Sequence, residues 1–230
     1  MKKNWIFAIL FFVIWVGVGS YLAGRESPTF DERVHVEAGR RYFLGDFEFD
    51  PIEPPLLRMF VVLPTKLLGL GERLDFLNYR MVVIVISGIL FSILIGLCGS
   101  FVGVLLLVEP NILTHGHLVT TDAISAILIV LSLVGFCRFP KNNWWMLWGS
   151  LAVSVKVSSV VYLGLGLLLM RVGWKNLLKF LIICACVIWA TYLFQWQPVL
   201  SNKSVLGKEV WWGQIRVPLG GYLQALKENW

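Results

Sequence analysis

Charged residues are scarce in this sequence. Lys, Arg, Asp and Glu make up 15% of the chain, whereas they make up about 25% of a soluble globular domain. Hydrophobic residues account for 57%, and apolar runs of about 18 residues or more recur. Strands of alternating polarity are absent, and every backbone group in lipid must be hydrogen-bonded internally. The sequence therefore predicts an all-α polytopic membrane protein, a bundle of helices.

Three other absences exclude further classes of protein. None of the four cysteines lies in a long polar loop, so we interpret them as small apolar residues and not as disulfides: Cys98, Cys137, Cys184 and Cys186. No basic run is interleaved with aromatic residues, so the net charge of +6 indicates membrane topology and anionic lipid, and no nucleic acid. No internal repeat is visible, which gives no support to a transporter built from inverted repeats.

About seven transmembrane helices are predicted from the apolar segments. The first, residues 4–23, follows Lys2 and Lys3, which hold the N-terminus inside by the positive-inside rule. This run is too long for the apolar region of a signal peptide, so we expect an uncleaved helix. The other helices are expected at residues 81–97, 101–113, 123–137, 144–170 (as two short helices) and 176–194. Residues 195–230 then form an outer tail at the membrane interface, with Trp196, Trp211, Trp212 and Trp230.

The segment 144–170 has two interpretations. One long helix places Lys156 near the middle of the membrane, at a cost of roughly 3 kcal/mol or more. Two short helices that meet at residues 154–159 place Lys156 at the outer interface instead. They also leave Arg171, Lys175 and Lys179 inside, as the charge rule prefers. We favour the two short helices.

A long polar interval, residues 24–80, follows the first helix and is expected on the outer face. Thr29-x-x-Glu32 fits a capping box that opens a helix reaching about Phe43. A second, apolar segment at residues 56–70 is expected to be broken at Pro64 and to lie in the membrane interface. Together with the membrane helices, these pieces form a module expected to cover residues 1–194.

Asp31 and Glu32 are the first candidate site residues. An acid in the first turn of a helix is stabilised by the helix dipole, so a structural role accounts for either of them. The functional alternative is that Asp31 acts as a general base at the membrane surface, with Glu32 as the cap or as a second catalytic acid. His35 lies four residues after Asp31, shares its helix face and is placed to orient it.

A second polar group is expected on the same face, at residues 114–122. Asp122 either caps the fourth helix or takes part in catalysis. His115 and His117 are candidates for substrate binding. With nearby carboxylates they are also candidates for holding a divalent metal, so a metal cofactor stays open, with no ligand set assigned.

Two basic residues on the outer face are candidates for binding an anionic substrate. Arg58 and Lys156 supply positive charge of the kind that a lipid headgroup or a phosphate leaving group needs. Arg58 has an alternative role, because a long cationic side chain also snorkels from the interface. Lys156 is harder to explain in that way, since its apolar surroundings make it costly.

The order of these pieces resembles the membrane-embedded GT-C glycosyltransferases, in the branch of protein O-mannosyltransferases and aminoarabinose transferases. Members carry an Asp-Glu pair just after the first membrane helix, then a Gly-Asp turn and a Pro-Pro-Leu element. A proline-containing stretch, an Asp that opens the fourth helix and a Ser/Thr-Lys element follow. Here these are Asp31-Glu32, Gly45-Asp46, Pro54-Pro55-Leu56, Pro110, Asp122 and Ser154-Val155-Lys156.

The resemblance implies an inverting transfer of a sugar from a polyprenyl-phosphate donor to a lipid, glycan or protein acceptor. The reaction is expected on the outer face of a bacterial or archaeal cytoplasmic membrane. Asp31 would activate the acceptor, Asp122 would support the site, and basic groups would hold the lipid phosphate. Family members commonly have His or Lys just before Pro-Pro, where this chain has Glu53. The phosphate contact usually assigned there therefore falls to Arg58.

Two alternatives to a complete enzyme remain. The chain is short for the family, so it is also consistent with a non-catalytic or half subunit of a split glycosyltransferase, with a second membrane subunit as partner. A transporter or flippase is the third hypothesis. It needs polar residues at mid-membrane depth, whereas the ionisable residues here cluster at the ends of the predicted helices.

Overall fold

The computed structural model is helical almost throughout. It describes residues 2–47, 49–50, 52–69, 76–198 and 216–228. Within these ranges, eleven helices and one pair of two-residue strands follow in chain order: α1 Lys2–Ala23, α2 Phe30–Tyr42, α3 Leu56–Leu67, α4 Phe76–Cys98, α5 Ser100–Val108, α6 Pro110–His115, α7 Asp122–Arg138, α8 Trp144–Val155, α9 Ser159–Leu169, α10 Trp174–Thr191, β1 Gln197–Pro198, β2 Arg216–Val217 and α11 Gly220–Glu228.

Three of the described helices are long and apolar enough to cross a membrane: Lys3–Ala23, Phe76–Cys98 and Trp174–Thr191. They indicate a helical membrane protein. The other apolar helices are shorter, and α8 and α9 have 12 and 11 residues. At a rise of 1.5 Å per residue each is about 16–18 Å long, less than the roughly 30 Å of the hydrocarbon core. Helices of spanning length therefore number three in the described chain, against the seven crossings expected.

The chain divides into two compact units. The first comprises Met1–Arg40 and Arg58–Ile127, and the second comprises Arg41–Leu57 and Leu128–Trp230. In the first unit, α1 and α4 form an antiparallel pair. Trp15 Nε1 donates to Ser87 Oγ at 3.0 Å, and Ser92 Oγ donates to the carbonyl of Ala8 at 3.0 Å. The first unit is built on this pair of helices.

The predicted third helix, residues 101–113, is wrong as one continuous element. It is broken into α5 and α6 at Glu109, whose backbone is extended (φ −81°, ψ 110°). The residue before a proline is biased away from helical geometry, and Pro110 takes the first position of α6, where no backbone N–H is needed. The Glu109 side chain caps the new helix by accepting from the backbone N–H of Asn111 at 3.2 Å.

The predicted break at Pro64 is also wrong, because α3 runs through this residue to Leu67. The helix that was expected to begin at residue 81 begins at Phe76. This earlier start brings Arg80 into the first two turns of α4.

In the second unit, the expected division of residues 144–170 into two helices is confirmed. Lys156 ends α8 in an extended conformation (φ −146°, ψ 130°). Ser132 Oγ of α7 donates to the carbonyl of Trp145, and a Cβ on Gly166 of α9 would meet Leu133 of α7. The end of α7, the start of α8 and the end of α9 therefore lie at one level. Lys156 lies at the opposite end of the α8–α9 pair.

The tail contains elements that were not predicted, namely the β1–β2 pair and α11. Trp196 is 57% exposed, which suits the expected interfacial role. The other tail tryptophans named above, Trp211, Trp212 and Trp230, lie outside the described residues.

Candidate functional site

The best-defined polar feature of the first unit is a buried ion pair between Arg80 and Glu32. Their side chains are 1% and 0% exposed. Arg80 Nε donates to Glu32 Oε1 at 2.8 Å, and Nη2 donates to Oε2 at 2.7 Å. This is the bidentate geometry in which arginine and a carboxylate bind most strongly.

Backbone carbonyls accept hydrogen bonds from the remaining N–H groups of Arg80. Nη1 donates to the carbonyls of Ala23 and Glu26, both at 2.7 Å, and Nη2 donates to the carbonyl of Ser27 at 3.0 Å. A guanidinium has five N–H donors, and all five have acceptors here. Complete satisfaction is what makes a buried arginine tolerable next to an apolar helix. Arg80 therefore joins the end of α1 to the start of α4.

Glu32 extends the same network to two further segments. Oε2 accepts from the backbone N–H of Thr29 at 2.9 Å, and Thr29 Oγ1 accepts from the N–H of Glu32 at 3.4 Å, so the expected capping box is present. Oε1 accepts from the backbone N–H of Val119 at 3.0 Å. Burial alone would raise the pKa of Glu32, but the hydrogen bonds from Arg80, Val119 and Thr29 outweigh it and hold the pKa below its usual value.

The expectation that Glu32 is catalytic is corrected by this geometry. Both carboxylate oxygens are occupied by protein donors, and the side chain has no accessible surface. A carboxylate in that state has no free position for a substrate proton or a metal ion. We name the Glu32–Arg80 pair with its partners on Thr29 and Val119 the carboxylate node, and its role is structural.

His117 is likewise a structural residue and not the substrate ligand that was expected. Its ring is 1% exposed. Nδ1 lies 2.6 Å from the carbonyl oxygen of Leu113, and Nε2 lies 3.0 Å from Oε2 of Glu26. Both ring nitrogens are thus engaged, and they hold the loop after α6 against the chain that follows α1.

Arg58 and His35 are a third internal pair. Arg58 Nε donates to Nδ1 of His35 at 2.9 Å, and the Arg58 side chain is 2% exposed. The expected phosphate contact of Arg58 is therefore corrected, because a phosphate cannot reach a buried guanidinium. His35, placed by sequence beside Asp31, is bound through Nδ1 to α3. Among the described basic residues of α2, Arg33 is exposed and lies two positions from Asp31.

The exposed carboxylates differ from the buried ones. Asp31 is exposed in the first turn of α2, adjacent to the fully buried Glu32. Asp122 is the first residue of α7, three residues beyond Val119, and its side chain is 50% exposed. His115 Nδ1 lies 4.0 Å from Oδ2 of Asp122, with the His115 side chain 44% exposed. The carboxylate node thus ties together the two segments that carry Asp31 and Asp122.

Lys156 belongs to the second unit, where it is half-buried at the end of α8. Its backbone N–H donates to the carbonyl of Ala152 at 3.0 Å. The structure brings Asp31, Glu32, His35, Arg58, His115, His117 and Asp122 into the first unit.

Arg80 and Glu26 are the residues that the sequence reasoning missed. The signal for Arg80 was a cation near the start of a long apolar helix, which requires a buried acceptor set. Within the described ranges, no group of three or more His, Cys, Asp and Glu side chains is arranged to hold a metal ion. Comparison with protein-family models, with characterised proteins and with solved structures finds no match to this chain.

Proposed function

We propose that the protein is a membrane glycosyltransferase of the GT-C type that uses a polyprenyl-phosphate sugar donor. The observation that carries this proposal is the difference in burial between the two adjacent acids, Asp31 and Glu32. Glu32 is buried in the carboxylate node, whereas Asp31 beside it stays exposed, just beyond the end of the apolar helix α1. The node holds the helix turn that presents Asp31, which is the rigid support that a catalytic base needs.

Asp31 would act on the acceptor as a general base. Its carboxylate takes the proton from an acceptor hydroxyl as the oxygen attacks the anomeric carbon of the sugar. The bond between that carbon and the phosphate oxygen breaks, and the polyprenyl phosphate leaves with the bonding electrons. The attack comes from the face opposite the phosphate, so the configuration inverts. Asp122, which is also exposed, would orient the acceptor.

The leaving phosphate needs positive charge in a site of low polarity. Because Arg58 is buried, the proposal assigns this contact to Arg33, an exposed cation of the first unit. The proposal also keeps seven crossings, with α5–α6, α7, α8 and α9 as the shorter ones, and it places Asp31 on the outer face. Cysteines introduced at Lys156 and at Lys141 test this topology. A membrane-impermeant maleimide should label the first and not the second in intact cells.

The activity is tested with purified protein and polyprenyl-phosphate hexoses, offered with lipid, glycan and peptide acceptors. Asp31→Asn should lower the rate of donor consumption by about 10²-fold or more, which is the usual contribution of a general base. Thermal stability should stay unchanged, because Asp31 is exposed.

Asp46→Asn is the matched control, since Asp46 is also an exposed aspartate and only pairs with Arg41 at 3.4 Å. It should keep full activity. The proposal fails if the wild-type protein consumes no donor and the Asp31 variant leaves the cellular glycans unchanged.

A further inference from the structure

An apolar groove lies in the second unit, and none of the residues that line it is assigned to the proposed reaction. It has a volume of about 610 Å³ and is lined by aliphatic side chains of α8, α9, α10 and α11, among them Val153, Leu163, Leu167, Leu181 and Leu226. That volume is in the range of specific ligand sites. Gly164 on α9 also lines the groove, and a Cβ added there would meet nothing within 4 Å. The groove is therefore open at this glycine.

Among the described residues that line the groove, Arg171 is the one cation, and it is exposed just beyond the end of α9. The end of α7 and the starts of α8 and α10 lie at the same end of this unit, which places further cations there: Arg138, Lys141 and Lys175. From residue 123 to residue 208 the sequence contains no Asp or Glu. Of the four helices that line the groove, α8, α9 and α10 thus supply no carboxylate, and α11 has one, Glu228, at its last position. An anion from outside the chain would be complementary to Arg171.

The backbone of Arg171 adds a second observation. The N–H of Val172 donates to the carbonyl of Leu167 at 3.1 Å, and the N–H of Arg171 donates to that of Leu168 at 3.0 Å. This is a Schellman motif, whose left-handed residue is usually glycine. Here Arg171 occupies it with φ of 51°. A residue other than glycine carries a backbone cost at this position, which makes Arg171 a candidate functional residue.

We propose that this groove binds one acyl chain of an anionic phospholipid, with the headgroup phosphate on Arg171. Apolar lining on α9 and α10 matches a hydrocarbon chain, and basic pockets between membrane helices are known to hold anionic headgroups. The site is independent of the proposed glycosyl transfer and does not depend on it. The lipid would complete the second unit by filling the groove and by neutralising its basic end.

The first experiment tests the chain-binding part. The protein is purified in an uncharged detergent, and bound phosphatidylglycerol is counted by native mass spectrometry. Gly164→Leu should fill the groove and abolish the bound lipid. Gly17→Leu is the matched control, because Gly17 is also an exposed helical glycine with nothing within 4 Å of a built Cβ, on α1. It should retain the lipid, and retention by Gly164→Leu would overturn the proposal.

The second experiment tests the headgroup. Phosphatidylglycerol and phosphatidylcholine with identical chains are titrated, and the melting temperature is followed by tryptophan fluorescence. The wild-type protein should prefer phosphatidylglycerol by about fivefold, the usual effect of one cation near an anionic headgroup. Arg171→Gly should erase this preference while the lipid-free protein melts at the same or a higher temperature, because glycine suits the backbone. Arg138→Gln should keep the preference.

Two results would overturn the assignment. One is an equal affinity of the wild-type protein for the two lipids, and the other is an unchanged preference in Arg171→Gly. A third outcome concerns a protein occupant. If the wild-type protein is a dimer in detergent and Gly164→Leu makes it monomeric, the groove is an interface between two copies and not a lipid site.

Discussion

The two compact units differ in how their charged side chains are paired. In the first unit, the buried ionic side chains are paired inside the chain: Arg80 with Glu32, and Arg58 with His35. In the second unit, α10 contains Lys175 and Lys179, and none of the helices α8, α9 and α10 contains Asp or Glu. When buried charges are paired within the chain, the unit needs no outside group to neutralise them. Helices whose charges are all of one sign depend on the groups around them, and in a membrane anionic lipid supplies the opposite charge.

The largest effect expected is from breaking the carboxylate node. Glu32→Ala should destabilise the protein by about 3–5 kcal/mol, because it leaves the buried Arg80 without its counter-ion. Asp31→Ala, one residue away and exposed, should cost less than about 1 kcal/mol. Unfolding in mixed micelles measures both. The double variant Glu32→Ala/Arg80→Ala should lose less than the sum of the single losses. Equal losses for Glu32→Ala and Asp31→Ala would contradict the structural role.

Low pH should destabilise the first unit by protonating the carboxylate of Glu32. The folded protein holds the pKa of Glu32 below its ordinary value of 4.5, since the donors around it outweigh the effect of burial. Its contribution to stability is therefore complete above pH 4.5 and is lost as the pH falls through the lowered pKa. The melting temperature of the wild-type protein should drop more steeply on acidification than that of Glu32→Gln. Parallel acid profiles for the two proteins would count against the node.

Two helical glycines, one from each unit, provide a comparison of packing. A Cβ on Gly39 of α2 would collide with the backbone carbonyl of Arg58 in α3, whereas a Cβ on Gly164 of α9 meets nothing within 4 Å. Gly39→Ala should destabilise the protein by about 1–3 kcal/mol through overpacking. Gly164→Ala should be neutral or stabilising by up to about 1 kcal/mol, from helix propensity. Thermal melts of both variants measure the difference, and a reversed order would refute this account of the α2–α3 contact.

The smallest effect expected is at Tyr222 of α11, which lines the groove. Burial raises the pKa of its phenol, and the hydroxyl has no hydrogen-bond partner among the described residues. Tyr222→Phe should therefore change stability by less than about 1 kcal/mol, or increase it. Ser87→Ala in the first unit removes a hydrogen bond to Trp15 and should cost about 1 kcal/mol. A larger loss in Tyr222→Phe than in Ser87→Ala would show that the phenol has a partner.

Several elements were predictable because their causes are local. Apolar runs are enough to predict α1, α4 and α10, since lipid demands a continuous hydrophobic segment. The cost of placing Lys156 at mid-membrane predicted the division between α8 and α9. The capping box of Thr29 and Glu32 spans three residues, so its hydrogen bonds could be inferred from spacing alone.

The roles of the candidate site residues were decided by packing. Asp31 and Glu32 are neighbours of the same charge, and spacing does not say which one is buried. The α1–α4 pair brings Arg80 to Glu32 across 48 positions of sequence, and the loop after α6 adds the N–H of Val119. Those contacts bury Glu32 and leave Asp31 exposed. Charge type and helical register are properties of the sequence, whereas burial depends on which distant donors the folded chain places around a carboxylate.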